Sequence, residues 1–246
     1  TMKKLYIIGL GPGDAQFITP QAAQALEESQ VVCGYTVYLD LIRPQCQGKE
    51  VITTPMTQEI QRCRMALEQA AQGKTTAMVC SGDAGVYGMA GLLLELAEEY
   101  PAMEIQVVPG ITAAVSGAAV LGAPLIHDFA VISLSDLLTP WEKIERRLDR
   151  AAQADFVLCL YNPRSKRRAD YLQKACDIVM RHQSPDTVCG TVRNIGREGQ
   201  QSQVMTLREL RDAPVDMFTT VFIGNSATRR RGQYMVTPRG YENKKQ

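Results

Sequence analysis

Three glycine-rich stretches carry the residue types that a small-molecule site needs. Gly9-Leu10-Gly11-Pro12-Gly13-Asp14 follows the apolar run Leu5–Ile8. Ser81-Gly82-Asp83-Ala84-Gly85-Val86-Tyr87-Gly88 follows Thr76–Cys80, and Pro109-Gly110-Ile111-Thr112-Ala113-Ala114 follows Ile105–Val108. Without a β-carbon, such backbone can approach a ligand closely. The first stretch superficially matches a dinucleotide fingerprint, but Pro12 removes an N–H from the loop that would cradle a pyrophosphate. Asp14 stands where the third glycine belongs, and its carboxylate repels phosphate. No lysine follows to complete a phosphate-binding loop. A ligand without phosphates suits these residues, and S-adenosylmethionine, an adenosine bearing a sulfonium cation, is such a ligand. A plain strand-to-helix turn is the alternative. In the second stretch Asp83 offers a carboxylate to a sulfonium, ammonium or hydroxyl partner; otherwise it caps a helix beginning near Val86. Thr112 in the third stretch can cap a helix or bond a cofactor.

The elements that must position these loops follow from periodicity. Leu5–Ile8, Val31–Cys33, Thr76–Cys80 and Ile105–Val108 read as short buried strands. Pro20–Ser29, Glu59–Gln72 and Gly88–Tyr100 show helical spacing between them. This alternation predicts a mostly parallel sheet covered by helices. After Ala113–Leu121 the pattern resumes, with strands at Ala130–Leu134, Phe156–Tyr161, Thr187–Val192 and Thr219–Ile223. Helices at Pro140–Ala152 and Ser165–Arg181 separate the first three, and Met205–Leu210 is ambiguous. The reading is an α/β protein of two domains, residues 1–114 and 115–246, with a single long doubly wound sheet as the alternative. The polar tail Gly240–Gln246 is expected to fray.

Composition removes several classes of function. The chain has 246 residues, with 27 Lys and Arg against 26 Asp and Glu, a formal charge of +1. No global basic field therefore draws it to nucleic acid or to a membrane surface. Arg229-Arg230-Arg231 has no interleaved aromatics and reads as solvated rather than as an RNA contact. No apolar run approaches the roughly 18 residues of a membrane span, and Leu5–Leu10 is too short for a signal-peptide core. The seven cysteines form no C-x-x-C pair, and there are two histidines. That pattern predicts reduced thiols in the cytoplasm and no protein-bound metal.

The three loops, in this order and spacing, resemble the tetrapyrrole methylase family of cobalamin-pathway and sirohaem methyltransferases, over essentially the whole chain. The resemblance implies two α/β domains holding S-adenosylmethionine in the cleft between them, S-adenosylhomocysteine as product, and a homodimer. Carried across residue by residue, it points to Pro12, Gly82, Asp83, Val86, Thr112 and Ala113 as cofactor contacts. In the second domain it points to Tyr161, Asn162, Asn194 and Thr220. The stretch from Gly122 to Asp136, with Thr139-Pro140-Trp141 and with Val192–Gly199, is similar to the subgroup acting on precorrin-3B or cobalt-factor III. The resemblance then implies methylation of ring carbon 17 coupled to ring contraction, on a substrate with or without cobalt, the cobalt-bearing form being favoured. Methylation at another tetrapyrrole position and a non-catalytic carrier of corrinoid intermediates are the alternatives.

Within that reading, methyl transfer chiefly demands alignment of donor and acceptor. Ring contraction moves protons and gains from a positioned acid or base. His127, Asp128 and Asp136 are the catalytic candidates, against a surface role for the histidine and capping roles for the aspartates. Ser133 and Ser135 alternate with Ile132 and Leu134, so both hydroxyls share one side of a strand, facing either substrate or solvent. The substrate's carboxylates call for arginine. Arg193 and Arg197, flanking Asn194, are the candidates, whereas Arg164, Lys166, Arg167 and Arg168 read as a solvated helix start.

Overall fold

The computed structural model describes residues 2–244. The chain divides into two compact units, Thr1–Ala113 and Ala114–Gln246. Each carries its own five-stranded sheet, so a single long sheet is not formed.

The first unit runs β1 (Lys3–Gly9), α1 (Pro20–Glu28), β2 (Val31–Gly34), α2 (Thr36–Leu41), β3 (Glu50–Thr53), α3 (Glu59–Ala71), β4 (Thr76–Cys80), α4 (Ala90–Leu96) and β5 (Met103–Val108). Its sheet has the order β3-β2-β4-β1-β5, and all four pairings are parallel. Alternation along β1 sends Leu5 and Ile7 into one core with residues of α3 and α4. Tyr6 and Ile8 go into a second core with residues of α1 and α2. Helices thus cover both faces, which is why these strands read as unbroken apolar runs. Local signals agree: the Thr19 hydroxyl accepts from the Ala22 N–H at 3.1 Å, Pro20 opens α1, and Ala22, Ala25 and Leu26 bury its inner stripe.

The second unit contains α5 (Ala113–Leu121), β6 (Gly122–Ala123), β7 (Phe129–Ser133), α6 (Trp141–Gln153), β8 (Val157–Tyr161), α7 (Tyr171–Val179), β9 (Val188–Arg193), β10 (Gln201–Thr206), α8 (Leu207–Arg211), β11 (Thr219–Ile223), β12 (Arg229–Arg231) and β13 (Tyr234–Val236). Its larger sheet has the order β10-β9-β11-β8-β7. Here the parallel expectation fails. Only β7 and β8 are parallel, and the other three pairings are antiparallel. The reason is connectivity: no crossover helix separates β9 from β10, and α8 is a single turn of five residues.

One face of this sheet packs on α6, α7 and α8 through Ile132, Leu134, Leu160, Cys189, Val221 and Ile223. The opposite face meets α5. A β-carbon on Gly117 of α5 would lie 2.9 Å from the Phe222 ring, and one on Gly190 would lie 2.6 Å from Leu121. Those two glycines let helix and sheet close up, and Phe222 is fully buried. A small sheet, β12-β13-β6, completes the unit. Of the tail expected to fray, Tyr241–Asn243 forms a 3-10 turn, and Lys245 and Gln246 lie outside the described residues.

Candidate functional site

The three glycine-rich loops converge because β4, β1 and β5 are neighbours in a parallel sheet, so their following loops leave from one edge. In open sheets of this kind that edge is where ligands bind. Gly11 and Gly82 form an isolated antiparallel bridge: the Gly11 N–H donates to the Gly82 carbonyl at 3.0 Å, and the Gly82 N–H to the Gly11 carbonyl at 2.8 Å. A β-carbon on Gly9 would stand 2.7 Å from the Gly110 nitrogen and from the Gly82 oxygen. One on Gly110 would stand 2.2 Å from the Gly82 oxygen. Gly9 and Gly110 are thus demanded by contact between loops, and Gly82 by its left-handed φ of 65°.

Asp83 does not cap a helix. Residues 81–89 stay irregular and α4 starts at Ala90, later than the expected Val86. Instead its carboxylate accepts from the Gly85 N–H and from the Gly110 N–H, each at 2.9 Å, tying the second loop to the third. Val86 closes a turn, its N–H donating to the Asp83 carbonyl at 3.3 Å. Pro12 is buried, and Asp14 caps a short 3-10 turn by accepting from the Gln16 N–H at 3.1 Å. The loops contain no lysine or arginine. An edge whose loops carry carboxylates and no lysine or arginine of their own fits a phosphate-free, cationic ligand better than a nucleotide phosphate.

Thr112 and Ala113 lead straight into α5. The next residue, Ala114, has its first-turn N–H satisfied by the Tyr161 hydroxyl oxygen at 2.7 Å. Tyr161 ends β8, and Ser133, its partner in register, ends β7. Continuing the β8–β11 register by one residue sets Thr220 beside Tyr161, and Thr220 in turn pairs with Val192. Ser133, Tyr161 and Thr220 therefore form a row on the α5 face of the sheet. Asn162 and Asn194, each the first residue after a strand, take left-handed φ values of 54° and 52°. Asparagine tolerates that region better than most side chains. The Asn162 amide donates to the Ser133 hydroxyl at 2.9 Å, and the Ser135 N–H reaches the same oxygen at 3.2 Å.

The other candidates do not join that row. His127 and Asp128 precede β7, at the end of the strand opposite Ser133. Five residues at about 3.3 Å each put roughly 15 Å between the two ends. The His127 Nδ1 accepts from the Asp128 N–H at 2.8 Å, and the Asp128 carbonyl from the Val157 N–H at 3.2 Å. These are bonds of a strand entry, and they place His127 and Asp128 apart from Asp136. Asp136 lies past the far end of β7, where its carboxylate accepts from the Tyr171 hydroxyl at 2.6 Å and from the Arg168 Nε. Those two partners hold it below the usual carboxylate range, leaving it a poor proton donor.

Arg193 pairs in register with Thr219 rather than Thr220, so it points to the face away from α5. It bridges Asp216 at 2.7 Å and lines, with Thr191, Gln203 and Thr219, a cavity of about 520 Å³. The Arg197 guanidinium lies 5.8 Å from the centre of the Phe218 ring. Sequence reasoning missed the role of Tyr161 as anchor of α5, for which the sequence offers no local signal. It also missed β3, whose four residues are too polar and exposed to show strand periodicity.

Comparison with known proteins decides the family. The model of the tetrapyrrole (corrin/porphyrin) methylases matches residues 4–211. The chain belongs to the tetrapyrrole methylases. Among its relatives is a probable cobalt-factor III C(17)-methyltransferase of Salmonella typhimurium, 45% identical over 238 residues, spanning 96% of this chain and 99% of that protein. A cobalt-factor III methyltransferase of Priestia megaterium is 45% identical over 98% of this chain but only 46% of its own length. The chain thus spans about half of that longer relative. The crystal structure of the methyltransferase CobJ superposes with a TM-score of 0.89 at 40% identity, covering 95% of this chain and 99% of that one. This tetrapyrrole methylase is accordingly an α/β methyltransferase related to enzymes of cobalamin biosynthesis, which sets aside a non-catalytic carrier. Among the described residues no helix is long and apolar enough to cross a membrane, and no cluster of three His, Cys, Asp or Glu side chains could hold a metal.

Proposed function

We propose that this methylase transfers a methyl group from S-adenosylmethionine to ring carbon 17 of a cobalamin precursor, cobalt-factor III in preference to precorrin-3B, with ring contraction. The observation carrying the donor is the set of three interlocked loops at the carboxyl edge of the first sheet, free of basic side chains. The acceptor rests on relatives that match at 45% identity along essentially the whole chain.

When bound, S-adenosylmethionine supplies an electrophilic methyl on a sulfonium. Pro12, Gly82, Asp83, Val86, Thr112 and Ala113 are the residues proposed to hold it in the first unit, with Tyr161, Asn162, Asn194 and Thr220 in the second. Asp83 holds the second and third loops in register and keeps an anionic field at the cationic donor. Tyr161 holds the first turn of α5 through the Ala114 N–H. Alignment of this kind is what an in-line transfer needs, since a positioned pair of reactants can remove about 7–11 kcal/mol from a bimolecular barrier. Ser133, with Ser135, is proposed to face the ring substrate. A homodimer in the cytoplasm completes the proposal; seven free cysteines support a reducing compartment.

The deciding experiment is incubation with methyl-labelled S-adenosylmethionine and cobalt-factor III under anaerobic conditions, followed by mass analysis. The expected product has gained one methyl and carries the contracted ring. Label incorporated without contraction would instead assign another ring position.

A further inference from the structure

The loops that follow β7 and β8 leave two neighbouring parallel strands and are cross-tied along their length. The Leu134 N–H donates to the Tyr161 carbonyl at 2.9 Å, the Asn162 amide to Ser133 at 2.9 Å, and Asp136 accepts from Arg168 and from the Tyr171 hydroxyl. The Tyr171 ring in turn packs on Trp141, the first residue of α6, with centroids 4.5 Å apart. The loop from 134 to 140 is therefore clamped at Leu134, at Asp136 and at its exit. Yet its tip, Leu137 and Leu138, stands 73% and 99% exposed. Two adjacent exposed leucines, on a loop bonded on either side of them, mark a surface built to meet something apolar. On the adjoining loop Lys166 and Arg167 are exposed, and neither enters an ion pair among the described residues.

We infer that these paired loops form the platform for the tetrapyrrole, Leu137 and Leu138 lying against the apolar ring and Lys166 and Arg167 meeting carboxylates at its rim. The inference rests on the function proposed above and extends it to the residues that select the acceptor. An apolar tip beside unpaired cations is complementary to a flat apolar ring edged with acid groups. The platform adjoins the row of Ser133, Tyr161 and Thr220. Asp136 is then a positioning residue: its bonds to Arg168 and Tyr171 fix where the two leucines project.

Titration of cobalt-factor III by absorbance, without turnover, reads the platform directly. Leu137→Ser with Leu138→Ser should weaken cobalt-factor III at least tenfold, while calorimetry with S-adenosylhomocysteine, which also verifies folding, should change less than twofold. Leu137→Met with Leu138→Met should restore most of the loss. Lys166→Gln with Arg167→Gln should weaken binding and flatten its dependence on salt. Unchanged cobalt-factor III affinity in the serine pair overturns the inference. So does dissociation of an oligomer in sedimentation with affinity intact, which would assign the leucines to a second copy of the chain. Wild-type protein that binds cobalt-factor III but does not methylate it would refute the proposed reaction and leave the platform standing.

Discussion

Asp83 joins two loops 27 residues apart, one carboxylate oxygen accepting from the Gly110 N–H and the other from the Gly85 N–H, each at 2.9 Å. Asp83→Ala leaves both donors without an acceptor, and the Gly110 N–H is partly buried. A buried donor left unsatisfied costs about 1–3 kcal/mol. Urea denaturation should show a loss of that order, with weaker S-adenosylhomocysteine binding in calorimetry. Asp83→Asn, which keeps an acceptor oxygen, should fall between the two. Full cofactor affinity in the alanine variant would reduce Asp83 to a surface residue.

Glycines in this chain divide by what a β-carbon would meet, and substitution should separate them. At Gly110 the added carbon would stand 2.2 Å from the Gly82 oxygen, a backbone atom that cannot yield without moving a loop. Gly110→Ala should abolish S-adenosylhomocysteine binding or prevent folding. Gly91, in the first turn of α4, has nothing within 4 Å of that position. Gly91→Ala should stabilise by about 0.4–1 kcal/mol through the lower entropy of the unfolded chain. Paired thermal melts of the two variants check both signs.

Both sets of loops were visible in the sequence because they depend on local chemistry. Glycine before and after a strand, Asp83 between two glycines, and asparagine directly after β8 and β9 are short-range signals. What stayed hidden depends on long-range register. Whether Arg193 or Val192 shares a face with Thr220 is settled by the pairing of β9 with β11, strands distant in sequence, and a shift of one position reverses it. His127 drew attention as one of only two histidines, but the direction of β7 puts it at the end away from Ser133. The antiparallel half of the second sheet was equally hidden, because apolar strands read alike whichever way they run.

The position of His127 and Asp128 at the entry of β7 makes a direct prediction. His127→Ala and Asp128→Ala should each retain kcat/KM for the corrinoid within about twofold, since both precede β7 at the end opposite Ser133 and substitutions away from a site usually change stability by under about 0.5 kcal/mol. A fall of a hundredfold in ring-contracted product, with methylation preserved, would return one of them to the chemistry.

Asp136 should reveal itself through acid stability rather than through a proton-transfer limb. Tyr171 and Arg168 depress its folded-state pKa below the unfolded value of about 3.9. Its contribution is therefore complete above that unfolded value and is lost as pH falls through the depressed one. Wild type should lose stability more steeply than Asp136→Asn between about pH 5 and pH 2, with the two curves parallel near neutrality. The pH profile of kcat should keep its shape in the variant while KM for the corrinoid rises. A missing limb in that profile would mean that Asp136 transfers a proton.

The thiols give a prediction independent of any ligand. Burial pushes Cys33, Cys63 and Cys176 up to about 12 and Cys80 up to about 11, and it also raises Cys159 and Cys189. At neutral pH such groups are almost wholly protonated, and the thiolate is the reacting species. Cys46, the last residue of the 3-10 turn that follows α2, is half-buried, and its thiol is raised as well, by partial burial against the opposing charge of Lys49. Native protein treated with a chromogenic disulfide at pH 7.5 should thus release about one equivalent slowly, all of it from Cys46, and all seven cysteines should react once the chain is unfolded in guanidinium. Cys46→Ser should remove the native reaction altogether. Rapid modification of a second site in the folded protein would mean that one of the two five-stranded sheets opens far more readily than its packing indicates.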